Sequence, residues 1–419
     1  MLQYTHTWTF YNIFPTETST FGLFFWQEDV VLAIAGVICE YNPFHLGHAK
    51  QFRQIRERLG EDAAIICLMS GRYVQRGEPS VFCPSVRAAA AVDCGASLVL
   101  ELPVTYALRS AEGFAQGGVE ILSALGVTEY LAFGCESGDG EALLRTAKQM
   151  TEPTYTEFLR EALDEGLSYA AAREQALSNF GGNGNLLQKP NDILALEYCK
   201  AILEQKSLLK PLALQRGGDY HAEFADAEDP SATSIRALLP DGNWQPFVPQ
   251  EAISHYASAE LHTPLAGERA MLARLRGLTD DDWQTVPFGS EGLWSKVMKA
   301  ARAEASLEGI ITASKSRRYP RTRLQRLLLC AYLGIDCETL AKPAPYVRAL
   351  AFDDAGRALL RQIHERCSLP VIHAGQTPPD EAYAALEARC ERLYTLFSTE
   401  KTLASTAKAE NGRIYYKKM

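Results

Sequence analysis

The sequence of 419 residues contains no lysine or arginine before Lys50. A secretory leader needs a basic start followed by an unbroken apolar core, and the first 30 residues offer neither. No apolar run anywhere is long enough to span a bilayer. The ten cysteines include no CxxC pair and no secreted-domain spacing, which argues against a zinc ribbon or a disulfide framework. They read as reduced cytosolic thiols, so a cytoplasmic location is expected. Internal repeats and low-complexity tracts are missing. So is an excess of positive charge: the net charge is −9, and any polyanion must be held by a local basic patch.

What is present is an ordinary globular composition, 47% hydrophobic and 22% charged, at a length that suits two or three domains. The first 30 residues are unusual in holding nine aromatics. They are expected to be an N-terminal extension outside the fold. Four apolar runs of strand character follow, at 31–39, 64–69, 97–102 and 130–134, with helical segments between them at 49–59, 85–94 and 107–125. Alternating strands and helices with uniformly apolar strands predict an α/β fold with a parallel sheet covered on both faces. Residues 141–178 and 191–203 read as helical, 181–185 as a loop and 211–215 as a fifth strand. Beyond Pro240 the strand signals thin out. Helical periodicity recurs at 266–275, 290–305, 322–333, 355–366 and 380–397. The expected organisation is a Rossmann-like parallel-sheet domain over 31–245 and a mainly helical domain over 246–419.

The most informative stretch is Glu40-Tyr41-Asn42-Pro43-Phe44-His45-Leu46-Gly47-His48, between the first strand and the first helix. Such a turn aims main-chain N–H groups and the positive end of a helix dipole at an anion. Two imidazoles three residues apart can donate to phosphate oxygens as charge builds in a transition state. Gly47, lacking a side chain, lets a nucleotide approach the backbone. Phe44 suits packing more than binding, and Glu40 at the strand end faces either ligand or solvent.

Other motifs end neighbouring strands on the same edge of the sheet, where such folds bind ligands. Met69–Pro79 holds two arginines and two glycines in a loop. Gly134 suits close approach of adenine or ribose. Lys189-Pro190-Asn191-Asp192 opens a helix and reads equally as a plain cap. Arg216 ends a strand beside Gly217 and Gly218. Ser231-Ala232-Thr233-Ser234-Ile235-Arg236 starts a helix, and Ser231, Thr233 and Arg236 could cap it or hold phosphates. Lys315, Arg317, Arg318, Arg321, Arg323 and Arg326 put six cations into twelve residues around Tyr319, with no acid among them. That excess points to RNA or a polyphosphate rather than to a merely solvated face. Neither a membrane nor DNA is expected as a partner. Arg413, Lys417 and Lys418 are weaker additions.

The HxGH turn and the Ser231–Arg236 stretch together resemble the nucleotidyltransferase branch of the class I synthetase-like α/β folds. A longer string is more specific. Gly36 to His45, Met69-Ser70-Gly71, Val74-Gln75-Arg76-Gly77-Glu78-Pro79, Glu101-Leu102-Pro103, Ser110-Ala111-Glu112, Pro190-Asn191, Arg216-Gly217 and Thr322-Arg323-Leu324-Gln325-Arg326 resemble the bacterial tRNA(Met) cytidine acetate ligase family. The chain departs from that pattern at Leu46, at Arg72-Tyr73 and at Cys83-Pro84 ahead of Arg87.

The resemblance implies an ATP site formed by Ile38, Cys39, Glu40, Tyr41, Asn42, Pro43, Phe44, His45, Leu46, Gly47, His48, Ala49, Lys50, Gln51, Gly134, Asn191 and Arg216. His45 and His48 would be its catalytic pair. It further implies acetate and elongator tRNA(Met) as partners, with ATP as a substrate. Attack of acetate on the α-phosphate would give acetyl-adenylate and pyrophosphate, and N4 of the wobble cytidine would then take the acetyl group. Magnesium is expected as a counter-charge without dedicated protein ligands. Two other readings stand beside this one. A small-molecule adenylyl- or cytidylyltransferase would use the same HxGH and Ser/Thr–Arg elements, and a non-catalytic RNA-binding protein could be built on the same fold.

Overall fold

A computed structural model of the chain describes residues 32–216, 230–373, 375–400 and 414–418. The expected extension at 1–30, the Gly217-Gly218 pair and Arg413 lie outside them. From Ala33 onward the chain forms one compact unit.

The described residues form ten strands: β1 (Ile34–Cys39), β2 (Ala64–Ser70), β3 (Tyr73–Val74), β4 (Glu78–Pro79), β5 (Leu98–Leu102), β6 (Tyr130–Cys135), β7 (Lys210–Gln215), β8 (Val347–Asp353), β9 (Val371–Ile372) and β10 (Tyr415–Lys417). β3 and β4 make a small antiparallel hairpin. The others form one sheet in the order β10-β8-β5-β2-β1-β6-β7, with β9 paired to β8. The run β5-β2-β1-β6-β7 is wholly parallel. Every residue of β1 and β2 is buried, as their unbroken apolar sequences required.

Helices cross over between the parallel strands. Leu46–Leu59 joins β1 to β2 and turns Phe52 and Ile55 inward. Pro84–Asp93 precedes β5, and Ala111–Ala124 leads to β6. Pro190–Glu204 follows an inserted run of helices, Gly140–Met150, Pro153–Asp164 and Tyr169–Asn179, which the charged 141–178 segment anticipated. Strand order reverses at β1. Its carboxyl end and that of β6 therefore flank a crevice, the place where open α/β sheets take ligands.

The thinning of strand signals past Pro240 did not prepare for what the C-terminal half does. Its helices are where periodicity placed them, at Pro264–Arg276, Leu293–Ala303, Arg321–Leu333, Asp354–Arg366 and Glu381–Tyr394. Yet β8 then enters the sheet antiparallel to β5, and β9 and β10 run parallel to β8. One apolar core lies under the β1–β2 side and extends to Trp244, Tyr256 and Ala351. A second gathers the C-terminal helices, with Trp283, Leu328 and Phe397, and takes in Tyr73, Cys83 and Leu108 from the first half. Both cores thus draw residues from either side of residue 245, and the second part is helical with strands of its own. All ten cysteines are free thiols. No helix among the described residues is long and apolar enough to cross a membrane.

Candidate active site

The chain leaves β1 through Glu40 and Tyr41, passes the cis Asn42–Pro43 bond and enters its first helix at His45. Tyr41 has φ 43°, in the left-handed region that a bulky residue occupies at a cost of about 1 kcal/mol or more. Packing offsets that cost. The ring meets Phe44 and His48 at 4.8 Å each, and its hydroxyl lies 3.4 Å from Cys67 Sγ. Asn42 is buried, with its Oδ1 accepting from Val81 N at 2.7 Å. Phe44 N donates to the Tyr256 hydroxyl at 3.0 Å.

His45 caps the helix. Its Nδ1 accepts from Gly47 N at 3.1 Å, while its own N–H donates to His48 Nδ1 at 3.2 Å. Both Nδ1 lone pairs are thereby engaged, so in each neutral ring the proton sits on Nε2. The rings stack with centroids 3.7 Å apart. Burial first, then the charges of Arg216 and Arg236, push the His45 pKa down to about 3. Burial, His45 and Arg216 hold His48 well below its ordinary range as well. The result is a pair of neutral imidazoles, each oriented by the backbone and each offering an N–H.

These groups line a cavity of about 530 Å³. Ile38, Cys39, Glu40, Tyr41, Asn42, His45, Gly47, His48, Lys50 and Gln51 reach it, as do Gly134, Asn191 and Arg216. Pro43, Phe44, Leu46 and Ala49 do not reach its wall. Phe44 is sealed against Tyr41 and Phe52, so its ring supports the turn from beneath. At the β6 end, a Cβ on Gly134 would come no nearer than 3.8 Å to Arg216, so the protein itself leaves room there. Asn191 is not the cap of its helix. Lys189 occupies that position, and Glu136 closes the helix start from β6, accepting from Asn191 Nδ2 at 2.7 Å and from Asp192 N at 2.8 Å. Asp192 returns the contact to Glu136 N and Ser137 N, both at 3.0 Å.

The Ser/Thr–Arg stretch forms the helix Ala232–Leu238 and adds Ser231, Thr233 and Arg236 to the lining. Ser231 Oγ accepts from Ser234 N at 3.0 Å as a cap. Arg236 donates to Asn42 O at 2.9 Å and to Thr233 Oγ1 at 3.1 Å, tying the second signature to the first.

One structural anchor had no signal in the sequence beyond an arginine in an alanine-rich helix. Arg87 is fully buried and donates to four main-chain carbonyls, Phe82 at 2.9 Å, Glu40 at 2.5 Å, Ser70 at 3.0 Å and Gly71. It ties the loops after β1 and β2 into one wall. The departures at Arg72 and Tyr73 are accommodated: Arg72 pairs with Glu391 at 2.8 Å, and the Tyr73 hydroxyl donates to Cys390 O at 2.9 Å.

The basic string divides. Acids absent from the string arrive from elsewhere, since Glu291 pairs with Arg318 at 2.8 Å and Glu308 holds Arg321 through two bonds of 2.7 and 2.6 Å. Arg323 binds Phe288 O and Ser290 Oγ, both at 3.0 Å. Lys315 and Arg317 are exposed. Arg326 does not share that surface. It is 8% exposed, lies over the Phe288 ring and donates to Gln75 O at 3.3 Å. Its role is to dock the helix Arg321–Leu333 on the 75–79 loop, where Gln325 also meets Glu78 at 2.7 Å. Thr322, between Arg321 and Arg323, reaches the cavity wall. Among the described residues no three His, Cys, Asp or Glu side chains converge as a metal cage would need.

A model of the HIGH Nucleotidyl Transferase family matches residues 32–409. The tRNA(Met) cytidine acetate ligase of Acetivibrio thermocellus is 33% identical over 365 residues, covering 81% of this chain and 88% of its own. The Clostridium novyi protein of the same name is 30% identical over 402 residues, covering 92% and 100%. The crystal structure of Thermotoga maritima TmcAL bound with alpha-thio ATP matches with a TM-score of 0.83 at 28% identity, covering 93% of this chain and 100% of that one. Sequence likeness over nearly the full length, joined to a preserved fold, settles kinship: the chain belongs to the tRNA(Met) cytidine acetate ligase family.

Proposed function

We propose that the chain activates acetate with ATP as acetyl-adenylate, releasing pyrophosphate, and acetylates N4 of the wobble cytidine of elongator tRNA(Met), in the cytoplasm. The observation that carries this reading is the pair of stacked, neutral imidazoles whose Nε2–H groups are left for a ligand by main-chain hydrogen bonds at both Nδ1 atoms.

Acetate is unreactive toward amines because its leaving group would be oxide. Attack of its oxygen on the α-phosphorus replaces that group with AMP. The displacement gains chiefly from alignment and from stabilising charge on the phosphate oxygens. His45 and His48 donate to α- and β-phosphate oxygens. As negative charge accumulates there, each ring's proton affinity rises and the bond strengthens, which favours the transition state over the ground state. Arg216 and Arg236, with Ser231 and Thr233, hold the outer phosphates. Gly134 and Asn191 border the nucleoside. Magnesium would accompany the triphosphate as its counter-ion and supply further neutralisation.

In the second half, N4 displaces AMP from the acetyl carbon. An anticodon-loop base is already unpaired, so exposing it costs about a few kcal/mol at most. Lys315, Arg317, Arg318, Arg321 and Arg323 grip the RNA backbone beside the wall that Thr322 shares with the cavity. A small acceptor would have no use for that adjoining surface, which favours RNA over a small-molecule nucleotidyl transfer. The test is mass spectrometry of tRNA incubated with protein, ATP and isotopically labelled acetate. Labelled acetyl on one cytidine, with AMP formed, is expected; AMP formation without modified RNA would sink the assignment.

A further inference from the structure

Acyl transfer, on the reading just proposed, leaves one proton without a recipient. The lone pair of cytosine N4 is delocalised into the ring, so the amine attacks well only if a base removes a proton as the bond forms. Neither imidazole can serve. Each Nδ1 already accepts a main-chain N–H, and each Nε2 carries the proton. Burial keeps the Cys39 thiol and the hydroxyls of Tyr41 and Tyr198, which also line the cavity, protonated well above their ordinary ranges.

Among the described residues two carboxylates on the wall are left, Glu40 and Glu78. Glu78 lies on the 75–79 loop and is engaged by Gln325 at 2.7 Å. Glu40 ends β1, immediately before the turn that presents the histidines. Its Oε1 accepts from Gln75 N at 2.6 Å, and its own carbonyl is held by Arg87 at 2.5 Å, so the residue is fixed at both ends. Its Oε2 receives no hydrogen bond from the described residues, and the side chain borders the cavity. The carbonyl of the same Gln75 accepts from Arg326, so this carboxylate backs onto the basic helix from which RNA would approach.

We propose that Glu40 is the general base of acyl transfer. As N4 bonds to the acetyl carbon, Oε2 takes one N4 proton. The bond from that carbon to the adenylate oxygen breaks, AMP leaves with the electron pair, and Glu40 returns the proton to water. Burial raises the carboxyl's proton affinity above the usual range, opposed by the Gln75 amide and by the charges of Arg76, Arg236 and Arg87, which suits a group that must accept a proton.

Glu40→Gln keeps the side chain's size and an oxygen for the Gln75 amide, but cannot act as a base. Two rates separate the roles: acetate-dependent exchange of labelled pyrophosphate into ATP with tRNA present, and single-turnover transfer to tRNA(Met) from prepared acetyl-adenylate. The full chain carrying Glu40→Gln should lose about 10²- to 10⁴-fold more in transfer than it loses in exchange. Transfer at the wild-type rate would overturn the proposal. So would parallel loss of exchange, which would make Glu40 part of the nucleotide site, or a greater loss of transfer from Glu78→Gln. Wild-type protein that neither exchanges nor transfers would instead refute the ligase reading itself.

Discussion

His45 and His48 use one ring nitrogen to build the turn and leave the other for the ligand, so removal of either ring has two separable effects. His48→Ala takes away one phosphate donor and the acceptor for His45 N; turnover should fall about 10²-fold or more, read from acetylated cytidine per minute at saturating ATP. Normal turnover would dismiss the assignment. The depressed pKa values also set a pH dependence. His45 titrates near 6.5 in the unfolded chain and at about 3 in the folded one, so below pH 6.5 the unfolded state takes up the proton first. The associated stability is fully present above 6.5 and drains away as pH falls toward 3. Between pH 7 and 5, His45 alone should cost about 2 kcal/mol, measurable by denaturant unfolding. At this scale the sequence was legible where chemistry is local: HxGH brings both rings, the cap and the glycine into four positions. Arg87 was illegible because its acceptors are main-chain carbonyls, which have no residue code, on three separate segments.

Strands buried on both faces were readable because their whole length must be apolar, and β1 and β2 declared themselves that way, with β5 and β6 nearly so; β7, at the edge of the sheet with only Leu214 buried, showed as a shorter apolar run. β8 did not. Val347-Arg348-Ala349-Leu350-Ala351-Phe352-Asp353 alternates buried with half-buried positions, and its partner β5 lies far back in the chain. β9 and β10, at two and three residues, are too short for any period to show. The basic string was legible as charge but not as surface, because Glu291 and Glu308 reach it only through the fold. Gly77 shows how the element below it is seated. It has φ 82°, and a Cβ there would lie 2.5 Å from Arg326 N, in the backbone of the docked helix. Gly77→Ala should therefore force helix and loop apart, cost about 1–3 kcal/mol, and lower acetylation of tRNA. An unchanged melting temperature would show that the docking is looser than drawn.

For the molecule as a whole, an acidic protein is asked to hold a polyanion at one face. Lys315→Glu with Arg317→Glu changes two exposed positions, neither of which lines the cavity. It should weaken tRNA binding and reduce the slope of log affinity against log salt by about 2, while ATP affinity stays as it was. A salt slope that did not move would place the RNA elsewhere. The sheet carries a further consequence. Leu98 finds its antiparallel partner in Phe352. During synthesis one flank of the nascent sheet must therefore wait, hydrogen-bonding groups bare, until most of the polypeptide has left the ribosome. Pairing of such sequence separation is slow and prone to intermolecular mistakes. The vulnerable moment for this enzyme is thus its birth, and refolding yield should drop steeply with concentration.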